Sequence, residues 1–170
     1  MMPSTTIQTS RTILRPFTLQ DAAAAYIWFG NPQVMRYTPH GADASLAETQ
    51  ARIAHYSAHQ AHYGFAKWLV LDKCSGNAIG DAGPMYFPEI QNFELGYRLL
   101  PEYWQQGLAT EIATAWVQHC QYQFALKTLI GFTHPENRAS IRVLNKVGFQ
   151  FSHAAELMGM SSKVFKLELA

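Results

Sequence analysis

The sequence predicts an α+β fold, with a mixed, mostly antiparallel sheet of about seven strands flanked by four helices. Three observations predict it. Between residues 65 and 99, three extended runs follow one another, separated by turn residues at 72–77 and 88–92. Such a succession makes an antiparallel meander. Ala109, Ile112, Ala113, Trp116, Val117, Cys120 and Phe124 then fall on one helical stripe. Beyond it comes another strand-like run, and a strand–helix–strand order implies a crossover between parallel neighbours.

The elements follow in order. Thr12 to Arg15 alternates enough for a short strand. Thr18, with Asp21 three residues on, reads as the start of a helix that ends near Phe29, before Gly30-Asn31-Pro32. A loop runs through Pro39-His40-Gly41. Ser45 and Glu48 form a second capping box, opening a helix that ends near Gly64. Phe65 to Leu71 is a strand. Ala78 to Phe87 is the next, with Gly80 and Gly83 as bulge candidates. In the third, Phe93, Leu95, Tyr97 and Leu99 alternate with Glu94, Gly96 and Arg98. The helix after Gly107 precedes a strand over Thr128 to Thr133. Asn137 to Lys146 is a short helix stopped by Gly148, and Phe149–Ala155 and Ser161–Leu169 complete the sheet.

Bulk properties narrow the function. One domain over residues 1–170 is expected at this length, and 48% hydrophobic against 15% charged residues is a globular composition. A formal net charge of +1 leaves no electrostatic footprint for nucleic acid or a membrane surface. Cys74 and Cys120 are the only cysteines and lack zinc spacing. No apolar run approaches the roughly 20 residues of a membrane span. Met1 to Thr6 lacks the basic and apolar regions of a secretory signal, so the expected location is the cytoplasm.

The chemistry concentrates in two motifs. Leu99-Leu100-Pro101-Glu102-Tyr103-Trp104-Gln105-Gln106-Gly107-Leu108-Ala109-Thr110-Glu111 joins a strand to a long helix. A glycine-bearing turn that opens a helix presents free N–H groups at the positive end of the dipole, which suits a phosphate. The alternative is an ordinary turn in which Gly107 relieves sterics. It is neither a Walker A nor a GxGxxG motif. The second motif runs from Asn137-Arg138-Ala139-Ser140 to Gly148-Phe149. Asn137 suits a helix cap, with Ser140 one turn into the helix.

Together these motifs resemble the GNAT superfamily of acyl-CoA-dependent N-acyltransferases, and within it the branch of ribosomal-protein N-terminal acetyltransferases. The resemblance spans nearly the whole chain, starting at Arg11-Thr12-Ile13-Leu14-Arg15-Pro16-Phe17-Thr18 and including Phe93-Glu94-Leu95-Gly96-Tyr97. It implies parallel strands that splay apart at the acyl-CoA site. There the backbones of Leu99 and Leu100 pair with the pantetheine arm. The amides of Gln105, Gln106, Gly107, Leu108, Ala109 and Thr110 hold the pyrophosphate, and Asn137 contacts the arm. Gln105-Gln106 stands where the branch often has Gly-Arg or Gly-Lys, so a cation near the pyrophosphate is expected to be missing. Trp104 replaces the usual Arg or Gln, and Asn145 a frequent Glu.

The resemblance implies an acetyl-CoA-dependent acetyl transfer to a primary amine by direct attack in a ternary complex. A protein or peptide N-terminal α-amino group is the first expectation. A small amine (polyamine, amino acid or antibiotic) and a non-catalytic CoA-binding module are the alternatives. Oligomeric state is open between monomer and homodimer. The attacking amine must be neutral, and Glu94 is the candidate base, directly or through water. Its other reading is an exposed strand carboxylate. Ser140 is the candidate proton donor to the departing thiolate, or else a solvent-facing helix serine. His134 is a reserve base. A backbone N–H at Leu99 or Leu100 is expected to meet the oxyanion. No metal is expected: His55, His59 and His62 share a helix face but lack HExxH and a carboxylate partner, which favours a solvated or substrate-facing role. Of the aromatic residues Tyr26, Trp28, Phe29, Tyr37, Tyr56 and Tyr63, most are expected in the core and one or two in the acceptor wall.

Overall fold

The computed structural model describes residues 5–170, so Met1 to Ser4 of the segment searched for a signal lie outside it. Among the described residues eight strands form one sheet: β1 (Ile7–Gln8), β2 (Thr12–Pro16), β3 (Trp68–Asp72), β4 (Ala78–Phe87), β5 (Asn92–Leu99), β6 (Thr128–Thr133), β7 (Gln150–Leu157) and β8 (Met160–Glu168). Four helices accompany them: α1 (Ala22–Phe29), α2 (Leu46–Tyr63), α3 (Leu108–Gln123) and α4 (Arg138–Val147). The strand order is β1-β2-β3-β4-β5-β6-β8-β7. Among the described residues only β5 and β6 pair in parallel. The meander and the crossover stand as expected. The eighth strand, β1, pairs Ile7 with Leu14 and Gln8 with Ile13, too short a run to show alternation.

The helix starts follow their caps. The Asp21 carboxylate accepts from the Thr18 N–H at 2.8 Å and from Arg15, but the first turn is a 3-10 turn, Leu19–Asp21, before α1 begins. Ser45 Oγ accepts from the Glu48 N–H, while Glu48 reaches back to the Ala44 N–H at 2.7 Å. Gly64, at φ +85°, stops α2. In β4 the extra residue is Ile79, beside Gly80, where the β3 register shifts. Gly83 is no bulge: a Cβ there would run into the Ala66 carbonyl, so it permits close backbone approach.

The sheet separates two cores. On one face Trp68, Leu95 and Leu129 pack with Ile112, Ala113 and Trp116 of α3 and Leu144 of α4. On the other, Leu69 and Met85 pack with Trp28 and Phe29 of α1 and Ile53 and Tyr56 of α2. Among the described residues no helix is long and apolar enough to cross a membrane.

Candidate active site

The site begins where two strands part. β5 pairs with β4 over eight residues but with β6 only at Glu94 and Ile130. Antiparallel hydrogen bonds alternate along a strand. The Leu100 N–H donates to the Ile79 carbonyl at 2.8 Å, so Leu100 faces β4. Counting back, Arg98, Gly96 and Glu94 also direct their backbone at β4, and Tyr97 and Leu99 direct theirs into the gap beside β6. Pro84, which has no N–H, fits opposite Leu95 on this phase. This corrects the expectation for Leu100. Its N–H is taken by Ile79, on the β4 side, so it is not free for a pantetheine arm or an oxyanion, and its carbonyl accepts from the Tyr103 N–H at 2.9 Å. Leu99 does face the gap, where its carbonyl accepts from the Trp104 indole N–H at 2.7 Å.

Beyond the gap lies a cavity of about 680 Å³. Gln105, Gly107, Leu108, Ala109 and Thr110 line it. Gly107 caps α3 in the left-handed region, φ +79°, and offers no side chain to the helix's free N–H groups. A Cβ on it would meet only Arg11 Nη2, at 3.7 Å. Gln106 stands outside this lining. Its side-chain Nε2 donates to the Glu102 carbonyl and its backbone carbonyl accepts from Arg11 at 2.9 Å. Glu111 fixes Arg11 in turn, at 3.1 Å, and accepts from Thr9 at 2.6 Å. Arg138, Arg142 and Lys146 of α4 also line the cavity, one turn apart. Open N–H groups at a helix start, space above Gly107 and flanking cations fit the phosphates of a nucleotide-like cosubstrate.

A second cavity, about 360 Å³, is lined by Glu94. Period-2 alternation puts the side chains of Glu94 and Arg98 on the α1–α2 side and that of Tyr97 on the α4 side. Glu94 is buried, not an exposed strand carboxylate. Its Oε2 lies 3.5 Å from Lys67 Nζ, which also faces the Gly83 carbonyl at 3.5 Å. Burial lowers the Lys67 pKa and Glu94 opposes that shift. Gly96 leaves room for the pair, since a Cβ there would strike Lys67 Nζ and stand 3.0 Å from Glu94 Oε1.

The two cavities share Val34, Tyr37, Tyr97, Arg98, Asn137 and Ser140. Ser140 is half-buried at this junction. Its Oγ lies 3.2 Å from the Tyr97 hydroxyl, and its N–H donates to Asn137 Oδ1 at 3.2 Å, capping α4. Burial pushes the Tyr97 phenol up, so it stays protonated. His134 stands outside both linings, stacked on Tyr37, with Nδ1 accepting from the Glu136 N–H. The histidine face divides. His55 lines the second cavity. His59 is buried, with Nδ1 donating to the Phe65 carbonyl at 2.7 Å and Nε2 accepting from the Tyr86 N–H at 2.9 Å. Both its nitrogens are used, so His59 is neither solvated nor a ligand. Tyr37 and Tyr56 line the second cavity, while Trp28 and Phe29 are core.

Sequence reasoning missed Lys67, Tyr97 and the α4 cations. The spacing of Arg138, Arg142 and Lys146 carried a usable signal. Lys67, 27 residues before Glu94, carried none.

A cleft whose open N–H groups and cations suit a phosphorylated cosubstrate, sharing wall residues with a second, polar pocket, is what a two-substrate group-transfer enzyme requires. Residues 11–150 match the acetyltransferase (GNAT) domain, and the chain belongs to that family of acetyltransferases. It is 29% identical over 145 residues to the uncharacterized N-acetyltransferase YoaA of Bacillus subtilis (strain 168), covering 85% of this chain and 82% of YoaA. An acetyltransferase from Agrobacterium tumefaciens str. C58 superposes with a TM-score of 0.83 at 25% identity, over 96% and 94% of the two chains. RimL, a ribosomal L7/L12 α-N-protein acetyltransferase solved with coenzyme A, superposes at 0.79 with 16% identity, over 96% and 98%.

Proposed function

We propose that residues 1–170 form one acetyl-CoA-dependent N-acetyltransferase domain whose acceptor is the N-terminal α-amino group of a protein or peptide. The observation that carries this is the junction of the two cavities, with Ser140 and Tyr97 on the cosubstrate side and Glu94 on the other. Acetyl-CoA supplies a thioester carbonyl open to attack by an amine. Gly107, Leu108, Ala109 and Thr110 would hold its pyrophosphate, the gap-facing backbone of Tyr97 and Leu99 its pantetheine arm, and Arg138, Arg142 and Lys146 its remaining phosphate. Asn137, lining both cavities, stands beside that arm.

Glu94 takes the proton of the acceptor amine through Oε1, directly or by a water, because Oε2 faces Lys67. Ser140 or its neighbour Tyr97 returns a proton to the departing thiolate. A base partly engaged by a lysine favours an amine that deprotonates easily. At pH 7 roughly one α-amine in ten is neutral, against about one lysine amine in 2,500. RimL's action on a protein α-amine supports the same acceptor class.

A panel of peptides, polyamines, amino acids and antibiotics, followed by release of free CoA, tests the proposal. Turnover confined to peptide α-amines is the expected result. Inert peptides beside an active small amine would reassign the acceptor. Acetyl-CoA binding without turnover of any amine would make the chain a CoA-binding module.

A further inference from the structure

The second cavity holds two arginines with no part in the transfer described above. Arg52 comes from α2 and Arg98 from β5, and their guanidinium carbons lie 4.7 and 5.2 Å from the centroid of one ring, Phe29. Each is braced from behind by a carboxylate. Arg52 Nη2 and Nε donate to Asp43 at 2.6 and 3.3 Å. Arg98 Nη2 and Nε donate to Asp81 at 2.8 and 3.0 Å, and Nη2 also to the Tyr56 hydroxyl at 3.1 Å. Each guanidinium carries five N–H donors, so these bonds do not exhaust either one. Asp43 and Asp81 are buried and take no part in the cavity wall, whereas both arginines line it.

The wall therefore presents three cations, Arg52, Lys67 and Arg98, against one carboxylate, Glu94. Asp43, Asp81 and Glu94 offset these charges in pairs, so what the wall offers an acceptor is the guanidinium N–H donors and not a net positive charge. An acceptor that carries an anion can accept from them, and guanidinium groups fixed by ion pairs meet a carboxylate at little entropic cost.

We propose that the acceptor carries a carboxylate or similar compact anion beside its amine, bound by Arg52 and Arg98 while Glu94 faces the amine. This rests on the second cavity being the acceptor site. The anion has two possible sources: an acidic side chain near a peptide N-terminus, or the α-carboxylate of a free amino acid.

The test uses matched pairs: Ala-Asp-Ala-amide against Ala-Asn-Ala-amide, and alanine against alaninamide. One charge-assisted bond predicts a preference of about tenfold or more in kcat/KM for the acidic member of the pair that supplies the natural anion. Arg52→Gln, which removes the charge and shortens the side chain, should cut that ratio below about threefold, and Arg52→Lys, which keeps the charge but loses the planar fork, should keep more of it than Arg52→Gln. Equal or better rates for the neutral member of both pairs would overturn the proposal, as would a ratio that survives Arg52→Gln. If Arg52→Gln does not fold, the wild-type ratios decide. If no amine is turned over, the acetyl-transfer reading fails separately, and calorimetry of the same pairs in the presence of CoA decides. Tighter binding of an acidic member supports the anion site, and equal or weaker binding of both overturns it.

Discussion

Replacing Gly107 with glutamate probes the phosphate loop without touching a core. The position is exposed, and a new Cβ meets only Arg11 Nη2 at 3.7 Å. Its φ of +79° makes any side chain pay about 1–2 kcal/mol. That is tolerable against a typical stability of about 5–15 kcal/mol, so Gly107→Glu should fold. The glutamate would stand over the free N–H groups at the start of α3, where the pyrophosphate is proposed to sit. Losing two charge-assisted hydrogen bonds removes about 3–6 kcal/mol, a weakening of CoA binding by at least about 100-fold. Gly107→Ala pays the same backbone strain without the charge or reach, so its affinity should stay within about tenfold. Calorimetric titration with CoA, after circular dichroism and melting confirm folding, reads both. A folded Gly107→Glu protein that binds CoA within about threefold of wild type would refute the loop's assignment.

Glu94→Gln should lower kcat by about 10²–10⁴-fold with little change in the KM for acetyl-CoA. A steady-state drop under about threefold, from about pH 6 to about 9, would reject Glu94 as the base. Ser140→Ala should slow turnover about tenfold, because a thiol of pKa near 8.5 needs little help to leave. Ser140→Cys should retain part of the activity, and full activity in Ser140→Ala would leave that serine without a chemical role. If Tyr97 covers for Ser140, Tyr97→Phe combined with Ser140→Ala should lose more than the two single losses multiplied, which initial rates will show. His59 must stay neutral to accept from the Tyr86 N–H, and burial lowers its pKa from the usual 6.5. The unfolded chain therefore gains protons first, so stability present above about pH 6.5 is lost as pH falls towards the folded value. Thermal melts between about pH 7 and 5 should show a shallower decline in His59→Gln, though not a flat one, because half-buried His119 is shifted the same way.

What was legible in the sequence was what local period encodes. Alternation from Phe93 to Leu99 identified a strand, and it also separated Tyr97 from Glu94 and Arg98. Asn137 and Gly107 announced helix starts because caps are local chemistry. Leu100 was illegible for a different reason. Which edge of a strand a backbone group faces depends on the phase of its ladder, and only the bond from the Leu100 N–H to Ile79 reveals that phase. Lys67 and the two arginines depend on contacts across the sheet or between α2 and the loop before it, so no short window contains them. The same alternation explains why the site has two chambers. Successive β5 side chains enter opposite faces, so the proposed base, Glu94, and the proposed proton donor, Ser140 beside Tyr97, fall on opposite sides of the sheet. They can serve one reaction only where the sheet is open. The single bridge between β5 and β6 provides that opening, and a longer parallel ladder would close the route from Glu94 to Ser140.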